Sequence, residues 1–515
     1  MQIIIRLCVS EGRLHYWLTN LISNLKELGH HVIVEPYESS LQSFSLRGLS
    51  HFDRTLFNGD FKDPLSLVLL DSELSPFGQT TCPLPDLIID LVGTYESAQA
   101  PCDLLILACN DIIGEGALLH AALACTHSAQ QFPALQIFQK SAGTSTVHSL
   151  LSAIPALEEP HHFLANFSRL SLRTVDILCR AVSLCVQSEM RISPAQQDQP
   201  LPHFLPSRSL SLLDLVSYMG RSLYGGMRRR LLRRFGRSDH WSIAWRSLSS
   251  PPLKEALSAS PEHIFFLPDT GQNFYADPFP VWKDEKTHVF CEELTYATGR
   301  GVIAHFTIDA TGKASGPQIV LQRPYHLSYP FVFDHEGVTY MIPETSQNRT
   351  IELYRCDQFP DQWSFVCVLI GEIDAADATL VRHDGRFWIF ASLSGEGRSS
   401  WDALGLFYSD RLEGPWQAHR ANPVLIDAGQ ARPAGAFFRH GDQLIRPAQD
   451  CRGGYGRGIS LCRIDRLDPE AYQQTRIDSL IPAPDFKYNG LHMLNRVGPW
   501  EVIDVRGWRN QIKLF

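Results

Sequence analysis

The second half of the chain repeats itself five times. Five windows align without a gap: DPFPVWKDEKTHVF from Asp277, YPFVFDHEGVTYMI from Tyr329, DATLVRHDGRFWIF from Asp377, AGAFFRHGDQLIRP from Ala434 and GLHMLNRVGPWEVI from Gly490. Their starts lie 52, 48, 57 and 56 residues apart. Each window reads as an apolar run, a polar turn and a second apolar run. A period near fifty with two or more strands per unit is the signature of a β-propeller, and five units close a five-bladed ring. Such a ring sets the first residue of every inner strand around one central funnel, so function belongs at repeat-equivalent positions.

The chain has 515 residues, more than one core holds, so two or three domains are expected. A net charge of −9 gives no electrostatic reason for nucleic acid as a partner. Twelve cysteines are spread without a C-x-x-C pair, as free thiols in a reducing compartment would be. The start MQIIIRLCVSEGR has too short an apolar run for a signal peptide, and no later segment reaches about 18 uninterrupted apolar residues. The expected location is cytoplasmic, in a bacterial-type setting, with contact to a membrane surface left open.

Residues 1–185 read as a Rossmann-like α/β domain. MQIIIRLCV and HHVIVEP look like strands, and Leu14 to Leu28 carries helical spacing that ends at Gly29, a suitable residue just past a helix. DLIIDLVG from Asp86 and DLLILAC from Asp103 are continuous apolar runs, the pattern of parallel strands buried on both faces. Residues 186–239 read as a linker: proline-rich SPAQQDQPLPHFLPSRS, then a basic amphipathic helix in which Gly225-Gly226 interrupts the pattern. MRRRLLRRFGR, residues 227–237, packs six arginines into eleven residues, suited to an anionic membrane surface or to a solvated brace between domains. From residue 240 to 515 the chain is β-rich and forms the propeller.

Within the windows the fifth residue is always apolar (Val281, Phe333, Val381, Phe438, Leu494), which is packing. The first residue varies in chemistry: Asp277, Tyr329, Asp377, Ala434 and Gly490. Asp277 and Asp377, on the first and third blades, are the catalytic candidates. Two carboxylates across a sugar-sized cleft supply the base and the acid that glycosidic-bond chemistry requires. The alternative is that both cap strand starts, as Asp does in turns. Glu292, His326, Ser328, Tyr329, Glu344, Arg432, Arg446, Gln449 and Asp450 are the substrate-binding candidates. The two arginines suit a carboxylate or phosphate, and the Glu and Arg set suits equally an ion-pair network between blades. His492 is the candidate ligand of a cation in the propeller centre, or a hydrogen-bonded structural histidine. Trp388, Trp401 and Trp416 could stack on sugar rings, Trp388 being placed within a strand pattern that suits core.

The set FYADPFPVW, PYHLSYPFVFDHEGVTYMIPET, DATLVRHDGRFWIF, RPAQD and GLHMLN resembles the five-bladed propellers of family 43 glycoside hydrolases. It is closer still to the propeller module of glucosamine inositolphosphorylceramide transferases. The resemblance implies an Asp base on the first blade, an Asp tuning the acid on the second and a Glu acid on the third. Asp277 fits the first slot, Tyr329 stands in the second, and Asp377 occupies the third as a shorter acid that retreats by about 1.5 Å. Residues 1–185, through RLHYWLTNLISNLKELGHHVIV and PDLIIDLVG, resemble a formyltransferase N-terminal domain, although only Asn110 and Asp111 of a catalytic set are in place. Gly114-Glu115-Gly116 opens a helix and offers backbone N–H groups to a phosphate or serves as an ordinary turn.

The expected function is that of a carbohydrate-active enzyme of surface-glycan or glycolipid assembly, acting by glycosyl transfer or glycosidic-bond chemistry in the funnel. Its partner is a sugar or glycolipid. A non-catalytic glycan-binding scaffold for a partner transferase, and a sugar N-formyltransferase using residues 1–185, are the alternatives.

Overall fold

The protein was described by a computed structural model, which covers residues 4–10, 14–37, 67–68, 85–91, 102–110, 112–113, 116–124, 132–142, 144, 146–159, 161–186, 199–200, 212–234, 237–257, 263–268, 271–484 and 486–510. It folds as two units, Met1–Arg229 and Arg230–Phe515.

The first unit is built on a mixed sheet. Its strands are β1 (Ile4–Ser10), β3 (His31–Tyr37), β5 (Leu87–Asp90), β6 (Asp103–Cys109), β7 (Ile112–Ile113), β8 (Leu135–Lys140), β9 (Thr146–Ala153) and β10 (Gln199–Pro200). The short strands β2 (Leu14–His15) and β4 (Leu67–Val68) pair apart from it. The order is β10-β9-β8-β6-β5-β1-β3, with β7 on β6. Strands β3, β1, β5 and β6 are mutually parallel, and β5 and β6 are buried runs as their sequences require. The other half is antiparallel: β8 runs against β6, and the few residues between β8 and β9 permit only a hairpin return. The four strands read from the sequence are thus the parallel ones, and the sheet continues beyond them in an antiparallel half. Helix α1 (Tyr16–Glu27) buries Trp17, Leu18, Leu21, Ile22 and Leu25. It ends at Gly29, whose φ of 87° lets the N–H of His30 return to the Leu25 carbonyl.

Helices α2 (Gly116–Ala124), α3 (Phe163–Val186) and α4 (Leu212–Arg234) complete the unit, α4 running on past its end. Contrary to the sequence expectation, α4 continues through Gly225-Gly226. A Cβ on Gly225 would lie 2.5 Å from the His161 ring, so glycine there permits a close approach rather than breaking the helix. Asn110, the formyltransferase-like asparagine, ties the end of β6 to the start of β8: its Oδ1 accepts the Ala134 N–H at 2.8 Å. Asp111, Gly114 and Glu115, and all but Gln199–Pro200 of the proline-rich stretch, lie outside the described residues.

The second unit is a five-bladed propeller. Strands β11 (Arg237–Ser247) and β12 (Phe265–Phe266) precede the repeats, and a short helix α5 (Leu253–Ala256) lies between them. Blade 1 is β13 (Asn273–Lys283), β14 (Lys286–Thr295), β15 (Arg300–Ile308) and β16 (Gln318–Leu321). Blade 2 is β17 (Ser328–His335), β18 (Val338–Thr345), β19 (Thr350–Gln358) and β20 (Gln362–Gly371). Blade 3 is β21 (Ala375–His383), β22 (Arg386–Leu393) and β23 (Ala403–Ser409), with β24 (Gln417–Ala418) and β25 (Leu425–Ile426) both on β23. Blade 4 is β26 (Phe438–His440), β27 (Gln443–Asp450), β28 (Gly458–Leu467) and β29 (Tyr472–Leu480). Blade 5 joins the two ends of the unit: β30 (Leu494–Val497) and β31 (Trp500–Asn510) supply its inner strands, and β11 and β12 its outer ones.

β11 and β31 pair from Arg237↔Asn510 to Ser247↔Trp500, and this seam closes the ring. Arg246 pairs with Glu501 across it at 2.9 Å, both buried. Between blades 1, 2 and 3 the core is Phe279, Phe331, Ile342, Leu353, Leu380 and Ile389, joined by the aromatic ring of Tyr329. Asn495 ties blade 5 to both neighbours: Oδ1 accepts the Ala436 N–H of blade 4 at 2.7 Å and Nδ2 donates to the Pro278 carbonyl of blade 1 at 2.8 Å. Asn495→Ala leaves a buried donor and a buried acceptor without partners, each a cost of about 1–3 kcal/mol. The expected outcome is a lower urea midpoint for the propeller transition with an unchanged m-value, read by tryptophan fluorescence.

Candidate functional site

The inner strands share one irregularity. The β13/β14, β17/β18 and β21/β22 ladders each slip between the residue before the window and the third window residue: Ala276/Phe279, Ser328/Phe331 and Ala376/Thr379. At each slip the first window residue is left-handed, with φ of 53° at Asp277, 43° at Tyr329 and 57° at Asp377. Asp tolerates this region, whereas a bulky Tyr is held there only if its surroundings fix it. Blade 4 makes the same turn one residue later, at Gly435 with φ 129°. A bulge re-aims the backbone and side chain together. The result is a set of inward-turned N–H groups that no strand partner satisfies.

Side chains of the ring satisfy them. Asp504 Oδ2 on blade 5 accepts the Asp277 N–H at 3.1 Å, and Asp277 Oδ2 accepts the Tyr329 N–H at 3.2 Å. Glu344 Oε2 accepts the Asp377 N–H at 3.3 Å. The Tyr329 hydroxyl accepts the Gly435 N–H from blade 4 at 3.0 Å and bonds the Thr379 hydroxyl of blade 3 at 2.7 Å. Four of these acceptors or their equivalents stand fifteen residues after a window start: Glu292, Glu344, Ser392 and Gln449. Asp504 stands fourteen after, so the repeat did not expose it.

Asp377 is bonded through both carboxylate oxygens. Arg432 Nε and Nη2 donate to its two oxygens at 2.6 and 3.4 Å, and Gln449 Nε2 donates to Oδ2 at 3.0 Å. The carboxylate that Arg432 was expected to find in a ligand is Asp377 itself. Glu344 lies beside this pair. Burial and the negative Asp377 push its carboxyl up to about 8, against the opposing pull of Arg432 and the Ser346 hydroxyl. Asp277 is also pushed well above the usual carboxylate range, first by burial and then by the charges of Glu292, Asp377, Asp504 and Glu344. The funnel therefore holds two carboxyl groups whose pKa is raised, next to a carboxylate clamped by an arginine.

His326 Nδ1 accepts the Gly301 N–H at 2.9 Å and Nε2 faces Glu292 Oε1 at 3.2 Å, which fixes the neutral tautomer as Nε2–H. Burial opposes protonation of His326, but Glu292 and Glu344 outweigh it and raise its pKa overall. Ser328 is buried and pairs in register with Glu344. His492 stacks on Trp241 with ring centroids 3.8 Å apart. Its Nδ1 lies 2.5 Å from Asp504 Oδ2 and 3.8 Å from Asp277 Oδ1, yet has hydrogen-bond geometry to neither. Asp277, His492 and Asp504 present ligand atoms within 4.8 Å of one another. Two carboxylates and an imidazole suit a divalent cation of hard or borderline character.

Tyr455 and Trp241 escaped the sequence reading. Tyr455 sits in the glycine-rich stretch after β27, tilted against Trp401 at 5.7 Å, edge-on to His492 at 5.2 Å and under the Arg432 guanidinium at 5.1 Å. Trp241 comes from β11 at the opposite end of the unit, and closure alone brings it to the centre. Of the remaining candidates, Arg446 donates to the carbonyls of Gln430 and Ala431 and to Gln474, all belonging to blade 4 or its approach. Asp450 is enclosed by Arg452 and Arg457. Trp388 is core, and Trp416 packs against the blade 2 and 3 core with its N–H on the Leu412 carbonyl.

Residues 266–492 match the family described as "Glucosamine inositolphosphorylceramide transferase 1, N-terminal". A glucosamine inositolphosphorylceramide transferase 1 of Oryza sativa subsp. japonica is 35% identical over 249 residues, covering 47% of this chain and 32% of that protein. The protein of the same name from Arabidopsis thaliana is 32% identical over 209 residues, covering 40% of this chain and 27% of its own. The chain thus spans about a third of the length of these relatives. Among solved structures, a family 117 glycoside hydrolase of Zobellia galactanivorans aligns with a TM-score of 0.35 at 12% identity, over 52% of this chain and 90% of its own. An exo-beta-1,3-galactanase of Phanerochaete chrysosporium aligns with a TM-score of 0.32 at 16% identity, over 42% of this chain and 54% of its own. The formyltransferase resemblance of residues 1–185 is not shown by these matches. The resemblance of the propeller half to the glucosamine inositolphosphorylceramide transferase module is.

Proposed function

We propose that the propeller funnel binds a sugar and performs glycosyl transfer or glycosidic-bond chemistry on it, in the assembly of a surface glycan or glycolipid. The observation that carries this is that Asp277 and Glu344 turn into one funnel, where they accept the Tyr329 and Asp377 N–H groups, with both carboxyls raised by burial and neighbouring charge. A leaving-group oxygen needs a proton donor, and an attacking hydroxyl needs an acceptor. Glu344 is the donor in this reading. Asp277 is the acceptor once a bound substrate or cation draws off its proton, and the half-buried Trp401 and Tyr455 give a sugar ring an aromatic wall. A cation held by Asp277, Asp504 and His492 would favour the charged form of Asp277 and orient sugar hydroxyls. Asp377 positions Arg432 rather than reacting. The relatives named as transferases of inositolphosphorylceramide make a glycolipid the fitting substrate class.

A second reading is a non-catalytic glycan-binding scaffold beside a partner transferase. The closed slot at Tyr329 favours it, since a fully buried hydroxyl with two partners replaces an acid there.

Glu344→Gln separates the two. With nucleotide sugars and aryl glycosides screened as substrates, the enzyme reading expects turnover to fall about 10²–10⁴-fold with sugar binding retained by calorimetry. Absence of turnover in the unaltered protein, with glycan binding intact in both, establishes the scaffold.

The pH dependence has a definite sign. As a proton donor Glu344 is active below about pH 8, so kcat/KM falls as pH rises through that value, and Glu344→Gln removes this limb. Folding follows the same direction. The raised carboxyl contributes stability that is complete below its ordinary 4.5 and lost as pH rises through about 8. Denaturation midpoints measured across that window are expected to slope downward, and to slope less in Glu344→Gln.

A further inference from the structure

Helix α4 turns its apolar side outward. Leu213, Val216, Leu223, Tyr224, Met227 and Leu231 are between 43 and 79% exposed. Residues in a helix step by about 100°, and on that count these six fall within an arc of about 100° along the whole helix. The opposite side is occupied. The Tyr218 hydroxyl accepts the Phe163 N–H at 3.0 Å and donates to the His161 carbonyl, which also takes the Ser222 hydroxyl at 2.9 Å. Gly225 closes against the His161 ring. The stripe is thus held away from the body of its own unit by polar anchors on the far side. Chains rarely leave such a continuous apolar surface bare.

The sequence around the stripe says what covers it. Arg228, Arg229, Arg230, Arg233, Arg234 and Arg237 lie along the last turns of the helix or directly after it, and its one acidic residue, Asp214, stands at the other end and interacts with Arg221. A protein partner for the apolar face needs no such charge density, and a nucleic acid offers nothing to the leucines. An anionic bilayer surface satisfies both, with apolar side chains in the acyl boundary and guanidinium groups among the headgroups. We propose that α4 docks the protein flat on an anionic lipid surface through the Leu213–Leu231 stripe. Among the described residues no helix is long and apolar enough to cross a membrane, so the contact is interfacial.

Flotation of the full chain with vesicles tests this. Vesicles of phosphatidylcholine mixed with phosphatidylglycerol are compared with phosphatidylcholine alone, at low and high salt. Binding is expected to the anionic vesicles only and to weaken with salt. Leu213→Ser with Met227→Ser should lower it about tenfold, as should Arg228→Glu with Arg234→Glu. All four positions lie outside the propeller site, and circular dichroism confirms that the variants stay folded. Failure of the unaltered protein to float with anionic vesicles overturns the proposal, as does flotation indifferent to the serine pair. A concentration-dependent dimer abolished by that pair assigns the stripe to a second copy instead.

Discussion

The propeller depends on how it satisfies the backbone N–H groups of its inner strands. At Asp277, Tyr329 and Asp377 the chain adopts a left-handed conformation that costs about 1–2 kcal/mol at each non-glycine residue. It also gives up a ladder hydrogen bond. Both costs recur at the same place in three blades, so they belong to the design of the ring. The return is that each turned N–H finds an acceptor on another blade: Asp504 for Asp277, Asp277 for Tyr329, Glu344 for Asp377. Five sheets packed by apolar faces alone could slide against one another. Directional bonds between buried groups fix their rotation about the axis.

The same bonds create the electrostatics. Acceptors of N–H groups at the centre of a ring are carboxylates drawn close together and away from water. Asp277, Glu344 and Asp504 are these acceptors, and Glu292, bound to His326, and Asp377, bound to Arg432, join them in the funnel. Burial first, and then repulsion, raise the carboxyls of Asp277 and Glu344. Arg432 decides where the negative charge rests, because its fork engages both oxygens of Asp377. Acidity in the funnel is thus a by-product of closing the ring, and only the choice of which carboxyl keeps its proton is specific to the site.

The sequence made much of this legible. The spacing of the windows reveals five blades, and the variable first position leads to Asp277 and Asp377, because repeats keep packing constant and vary chemistry. It leads as well to Glu292 and Glu344 at the far end of each second strand. What it hid has physical causes. Trp241 reaches the centre through ring closure between β11 and β31, a contact across more than 250 residues with no local signature. Asp504 falls one residue out of phase in the shortened fifth unit. Tyr455 lies in a loop, where no periodicity operates. The antiparallel half of the first sheet also escaped, because an apolar run reports burial on both faces and not strand direction.

Tyr329 shows how a single substitution redistributes chemistry in such a ring. An Asp at this position would be too short to reach the Gly435 N–H of blade 4 or the Thr379 hydroxyl of blade 3. Both groups are buried, and both would then lack the partner that the tyrosine hydroxyl gives them. The tyrosine ring also fills space between Phe279 and Phe331, which a carboxylate would leave empty and charged. Blade 2 therefore gives structure at its first position, and its funnel acid, Glu344, stands across from Ser328 at the same end of the hairpin. Because Glu344 bonds the Asp377 N–H while the Asp377 side chain turns to Arg432, a raised carboxyl and an arginine-bound carboxylate are set side by side. The tyrosine closes one acidic slot, and the raised carboxyl stands beside it on the same blade.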